Sequence, residues 1–194
     1  MNCPQFVKVN DKKYKINTSF KVAIECNSIA ENENITDLER GLAIIYKLYG
    51  DEGINNPQDY EKLLELAQKY LLCGKEYDFE NNEKQDMDYV EDMDYIEASF
   101  MSDFGIDLTS EDMDWWKFNK LINGLSNSEM GNCCVLNRVR NLRNLNLNDI
   151  KDSKTREKLA KAKQMVALKK IQPKKEMTDE QKQSADELNK MLGL

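Results

Sequence analysis

Histidine is missing from this 194-residue chain altogether. The usual general base at neutral pH is thereby unavailable, and so is every Ser-His-Asp or Cys-His arrangement. A zinc site would have to be built from cysteines and carboxylates alone. The five cysteines, Cys3, Cys26, Cys73, Cys133 and Cys134, are odd in number and irregularly spaced, with no CxxC pair. Free thiols are the expectation, not a disulfide framework or a metal cluster. No run of eighteen apolar residues exists, which excludes a membrane-spanning helix. The opening MNCPQFVKVNDKKYKIN lacks the basic-then-apolar order of a secretion signal, so the cytosol is the expected location. Proline and glycine are scarce, at three and eight residues. With 40% apolar and 32% charged residues, the composition is that of a soluble chain tilted toward helix.

What the chain does contain is helical periodicity. Residues 5–17 alternate Val7, Val9, Tyr14 and Ile16 around Asn10-Asp11, which predicts a β-hairpin that needs helices to lie against. A short helix follows over 18–30, capped by Thr18 or Ser19. Thr36-Asp37-Leu38-Glu39 is a capping box, in which a hydroxyl and a carboxylate satisfy orphan amides reciprocally. The helix it opens is expected to stop at Gly50, with a loop over Asp51 to Asn56. Pro57 suits the first turn of another helix, with Tyr60, Leu63, Leu64, Ala67, Tyr70 and Leu71 on its face and Cys73-Gly74 at its end.

The centre of the chain is the stretch from Tyr77 to Leu125, which holds both tryptophans. Tyr89, Met93, Ile96, Phe100 and Phe104 define one helix ending at Gly105, where a left-handed cap is expected. A second helix is expected after Thr109 and Ser110, burying Trp115, Phe118, Leu121, Ile122 and Leu125. Trp116 falls nearly opposite the Phe118/Ile122/Leu125 stripe and requires a second partner surface. For Trp115 a core role is favoured. For Trp116 core and outward-facing roles stay open, because tryptophan is enriched at binding hot spots.

Charge is segregated. Residues 76–114 hold fifteen acids against Lys84, and residues 138–175 hold thirteen Lys or Arg against three acids. The two blocks could pair with each other or face different partners. The basic block lacks interleaved aromatics for stacking on a single strand, which disfavours nucleic acid. The acidic block lacks the central glycine and terminal glutamate of an EF-hand loop, and its acids are expected on a solvated face. The Asp-x-Asp pairs at 86/88, 92/94 and 112/114 could hold Mg²⁺, but so acidic a stretch produces such pairs by composition. Gly50-Asp51-Glu52-Gly53 is no phosphate loop. No catalytic constellation emerges.

Downstream, Asn127 or Ser128 is expected to cap a helix through Met130, Cys134, Val135, Val139 and Leu142, with a break over Asn141 to Asn148. A basic helix is expected from Ser153 to Lys170. Thr178-Asp179-Glu180-Gln181 then opens a last helix with Ala185, Leu188, Met191 and Leu192, too short to be stable without a partner. The predicted architecture is mainly α: a helical core domain with an N-terminal β-hairpin over residues 1–150 and a basic helical tail over residues 151–194.

Several pieces in this order resemble the bacteriophage gene-product-fifteen family of tailed phages and prophages of Gram-positive bacteria. They are the Lys-Tyr-x-Ile-Asn hairpin, Asn17-Thr18-Ser19-Phe20, Tyr77-Asp78-Phe79, the Asp94-to-Leu108 block with its Gly-Ile-Asp-Leu connector, and Trp115-Trp116-x-Phe118 to Gly124-Leu125. The resemblance implies a non-enzymatic role in tail morphogenesis in the host cytoplasm, as a chaperone for the tape-measure or tail-tube protein. Such proteins need no catalysis; no cofactor, metal or membrane is expected for this chain, and self-association stays open. On that reading Trp115, Trp116, Phe118, Leu188 and Leu192 are the candidate protein-binding residues. A structural tail component retained in the virion, or a nucleic-acid-associated protein acting through the basic tail, are the alternatives.

Overall fold

The computed structural model describes residues 2–75, 85–127 and 133–169. Among them are seven α-helices and one two-stranded antiparallel sheet. The sheet is the predicted hairpin. Strands β1 (Phe6–Val9) and β2 (Lys12–Lys15) pair in the register Val7 to Tyr14 and Val9 to Lys12, which leaves Asn10-Asp11 as the two-residue loop. Asn10 takes φ 52°, as the tight turn demands. So small a sheet is marginal in water, and it is held by burial of Val9, Tyr14 and Ile16 against the helices. Its polar anchor is the buried Asp59, which accepts from the Tyr14 hydroxyl at 2.6 Å and from Asn10 Nδ2 at 2.7 Å. Burial, reinforced by the Asp59 carboxylate, pushes the Tyr14 phenol up to about 12.

Three helices pack in sequence order behind the hairpin. Helix α1 (Phe20–Ala30) is capped by Ser19, and α2 (Asp37–Ile54) opens on the complete Thr36/Glu39 capping box. The expected stop at Gly50 is a kink instead. Gly50 alone leaves helical geometry, at φ 65° and ψ −157°, and the chain then resumes a helical turn through Ile54 where a loop was expected. Helix α3 (Tyr60–Leu71) follows a 3₁₀ turn over Pro57–Asp59, so the proline serves one turn earlier than the helix proper.

The second half supplies α4 (Met93–Phe104), α5 (Trp115–Asn123), α6 (Val135–Asn144) and α7 (Ser153–Met165). Helix α4 buries Ile96 and Phe100, leaves Phe104 at the edge, and ends on left-handed Gly105 as its sequence predicts. Tyr89 lies in the turn before it, not on its face. Ser99, also buried, donates to the Tyr95 carbonyl at 2.7 Å and accepts from the Leu136 N–H at 3.0 Å, which ties α4 to the start of α6.

Thr109 and Ser110 do not start α5. Both bond back to Asp107 and close a turn, while Asp114 caps the helix through the Lys117 N–H at 2.9 Å. Likewise α6 starts later than expected. Asn127 bridges Cys133, and the cap is Cys134, whose sulfur accepts the Asn137 N–H. The expected Ser128 cap and Met130 lie outside the described residues. Helix α7 ends at Met165, short of Lys170, packs on α6, and is followed by the buried Leu168. No described helix is long and apolar enough to cross a membrane.

The acidic and basic blocks meet in the fold. Arg143 on α6 makes a two-pronged ion pair with Asp92, both contacts at 2.7 Å, and Arg140 pairs with Asp86 at 3.0 Å. Asp88 and Asp92 are buried, at 4% and 1% exposure, which corrects the expectation of a wholly solvated acidic face. Arg143 at short range makes the burial of Asp92 tolerable, and Asp88 Oδ1 accepts the Val90 and Glu91 N–H groups at 2.8 Å.

Candidate functional site

Helix α5 is built into the molecule at its first residue. The Trp115 N–H donates to the Thr18 carbonyl at 2.8 Å, and the Phe20 N–H donates to the Met113 carbonyl at 2.9 Å, so α1 and α5 begin side by side. From there its aromatic residues fan out. Phe118 is fully buried between Phe20, with centroids 4.5 Å apart, and Phe100, at 5.3 Å, and it also stacks on Trp115 at 5.8 Å. Offset stacking of this kind adds about 0.5–1.5 kcal/mol per pair beyond area burial.

The second surface that Trp116 requires is the chain's own. It is 8% exposed and stacks on Tyr70, and its indole Nε1 donates to the Tyr70 carbonyl at 3.0 Å. Trp115 Nε1 donates to the next carbonyl, Leu71, at 2.8 Å. A helix end leaves its last carbonyls without an internal helical partner. Leu71 is satisfied by the Trp115 indole, whereas Tyr70 accepts both the Trp116 indole and the Cys73 N–H, the latter at 2.9 Å. Gln68 and Lys69 receive the Leu72 and Gly74 N–H groups. Both tryptophans therefore cap α3, and an outward-facing Trp116 is ruled out. Phe118, at the centre of the core, is likewise no surface residue. Leu188 and Leu192 lie outside the described residues, as do Tyr77-Asp78-Phe79 and the second capping box.

The cap has a tight geometry. Gly74 takes φ 75°, and a Cβ there would stand 3.2 Å from Trp116 Cη2. Gly74→Ala is expected to cost about 1–2 kcal/mol from the left-handed backbone, with some displacement of the indole besides. A fall in the thermal midpoint and a shifted tryptophan emission would register it; an unchanged midpoint would contradict it.

Beside this cap lies a cleft of about 510 Å³. Leu71, Leu72, Met87, Tyr89, Trp115 and Trp116 supply its apolar lining, with Glu31, Lys75, Asp88 and Lys120 among the charged residues around it. Asn119 also lines it, and its Nδ2 is buried without a hydrogen-bond partner. Val90, at 55% exposure, stands at the edge. Sequence periodicity could not reveal the cleft, because its walls come from α1, α3, α5 and the turn over 85–90.

Ionisable groups around the cleft are held in protonated or hydrogen-bonded states. Burial raises the Cys73 thiol to about 11 and the Cys26 thiol to about 12, and raises Cys3 as well, so these sulfurs stay protonated and weakly nucleophilic. Asp88 caps the Val90 and Glu91 amides, Asp92 holds Arg143, and Asp112 accepts from the Ser19 hydroxyl. The described residues contain no group of three or more potential metal ligands.

Comparison with curated proteins and with solved structures returned no match. A protein-family model described as Bacteriophage Gp15 protein does match, over residues 2–168, which takes in the hairpin, the tryptophan pair and α7. With that span matched, the chain belongs to the Bacteriophage Gp15 protein family.

Proposed function

We propose that this chain is a non-enzymatic tail assembly protein that acts in the cytoplasm of the host bacterium. Its task is to bind the tape-measure protein, the tail-tube protein or both while the tail is built. The observation that carries the reading is the apolar cleft beside the Trp115/Trp116 cap in a chain of this phage family. A long amphipathic helix needs its apolar stripe covered until assembly, and a groove that accepts a few anchoring side chains can do so. The net charge of −7 keeps such complexes apart and soluble.

The nucleic-acid reading loses ground on a specific point. Arg140 and Arg143, two of the arginines in the basic block, are turned inward onto Asp86 and Asp92. Neutralised cations release no counterions from a phosphate backbone.

Affinity capture of the tagged chain during induction of the parent phage, with mass spectrometry of bound proteins and of purified virions, tests the proposal. Tape-measure or tube protein should be recovered with the chain, and the chain should be missing from virions. Val90→Asp, placed on the exposed cleft edge, should cut recovery at least tenfold with an unchanged melting curve. Finding the chain in virions would make it a structural component instead, and recovering neither tail protein would remove the proposal's basis.

A further inference from the structure

We propose that the chain's own residues 178–192 occupy the cleft when no partner is bound. The tail leaves the described fold at an anchored point. Leu168 is buried at 4% exposure, and the Lys169 N–H donates to Glu91 Oε2 at 2.8 Å. Glu91 directly follows Val90, which lines the cleft. The chain is thus fixed beside the cleft edge at the point from which the last 25 residues depart.

Reach and pattern agree with that origin. Residues 170–177 can span up to about 26 Å when extended, at roughly 3.3 Å per residue. Residues 178–192 carry the Thr178-Asp179-Glu180-Gln181 cap, then Ala185, Leu188 and Leu192 at helical spacing. A helix of that length would run about 22 Å and is marginal alone, so its apolar stripe needs a surface. Leu71, Leu72, Tyr89 and Trp116 offer one.

Tethering makes the occupancy effective. A segment on a short linker sees its site at an effective concentration in the millimolar range, so even weak contacts keep it bound. An incoming helix must displace it, which would restrict binding to partners presented at high local concentration or with better contacts. Displacement rests on the tail-assembly reading; occupancy by the tail does not.

The test uses the full chain alone. A photoreactive benzoylphenylalanine at Leu188 is irradiated and the products are mapped by mass spectrometry, at concentrations across roughly a hundredfold dilution. Crosslinks within one molecule to Leu72, Met87 or Val90, at a yield independent of dilution, are expected. In parallel, the double variant Leu188→Asp/Leu192→Asp should lose amide-exchange protection at Met87 to Val90 by at least tenfold, while core amides stay unchanged. Crosslinks that vanish on dilution would assign the cleft to a second copy and overturn the proposal. Crosslinks to α7 only, or unchanged protection at Met87 to Val90, would overturn it in favour of cover by residues 76–84 or by an external partner. Because no tape-measure or tail-tube protein enters this experiment, its failure leaves the tail-assembly proposal standing, and the reverse holds too.

Discussion

Trp115→Ala and Trp116→Ala are each expected to destabilise the protein by about 3–5 kcal/mol, the range for truncating a buried large aromatic. Trp115, at 2% exposure, touches Phe118 and Tyr89 and donates to Leu71. Trp116, at 8%, fills the space over Tyr70 and Gly74 and donates to Tyr70. Each truncation opens a cavity and withdraws the indole donor from a carbonyl at the end of α3. Against a typical total of about 5–15 kcal/mol, either loss is a large share of the stability. The Trp→Phe variants separate the contributions. They keep most of the apolar area and lose the N–H donor. About 1–3 kcal/mol is expected for Trp115→Phe, which strands the Leu71 carbonyl, and about 0.5–1.5 kcal/mol for Trp116→Phe, because the Tyr70 carbonyl keeps the Cys73 N–H. Urea unfolding followed by circular dichroism is the appropriate measurement, since the substitutions remove the fluorophores themselves. A Trp116→Ala variant within about 1 kcal/mol of the parent would show that the indole does not cap α3 in solution.

Local signals in the sequence translate well into this fold. The capping box at Thr36 and Glu39 needs only four consecutive residues, and it is complete. The Asn10-Asp11 turn and the Gly105 cap are equally local, since each depends on a backbone conformation that few residue types adopt readily. Periodicity also located α1, α3 and α4 to within a few residues.

Where local signals do not decide, a distant partner does. The second surface that Trp116 requires lies 46 residues back, at Tyr70, so its own helix leaves the choice between core and outward roles open. Asp88 and Asp92 read as solvated because their stretch is so acidic; the cation that allows Asp92 to be buried, Arg143, is 51 residues on. Ser110 is an ordinary helix cap in isolation, yet Asp107 captures it in a turn and the later Asp114 takes the role. A cysteine cap such as Cys134 carries no familiar signal, because thiols cap helices too seldom to be expected. The cleft combines these failures: only the assembled helices define it.

Arg143→Met is expected to cost about 3–5 kcal/mol, because it strands a carboxylate that has 1% exposure. Arg143 makes four hydrogen bonds, to both oxygens of Asp92, to the Asp86 carbonyl at 2.8 Å and to the Val166 carbonyl at 2.6 Å. Asp92 Oδ2 also accepts the Asp88 N–H at 3.0 Å. Arg143→Lys keeps the charge but cannot reproduce the fork, so an intermediate loss is expected. The double variant Asp92→Leu/Arg143→Met should recover part of the single-variant loss, since no charge is then left buried alone. Screening reaches buried pairs weakly, so the loss should persist at about 1 M salt, unlike that from the exposed Lys161–Glu157 pair. Chemical denaturation of the four proteins in urea, at low and high salt, checks all of this; an Arg143→Met loss under about 1 kcal/mol would mean that the pair opens to water. The consequence extends past stability. The clamped residues run from Asp86 to Asp92 and include Met87, Tyr89 and Val90 of the cleft wall. Arg143 also holds the Val166 carbonyl, just before the chain leaves beside Glu91. One guanidinium thus fixes both a wall of the cleft and the departure point of the tail, so Arg143→Lys should impair partner capture even where enough stability remains for the chain to fold.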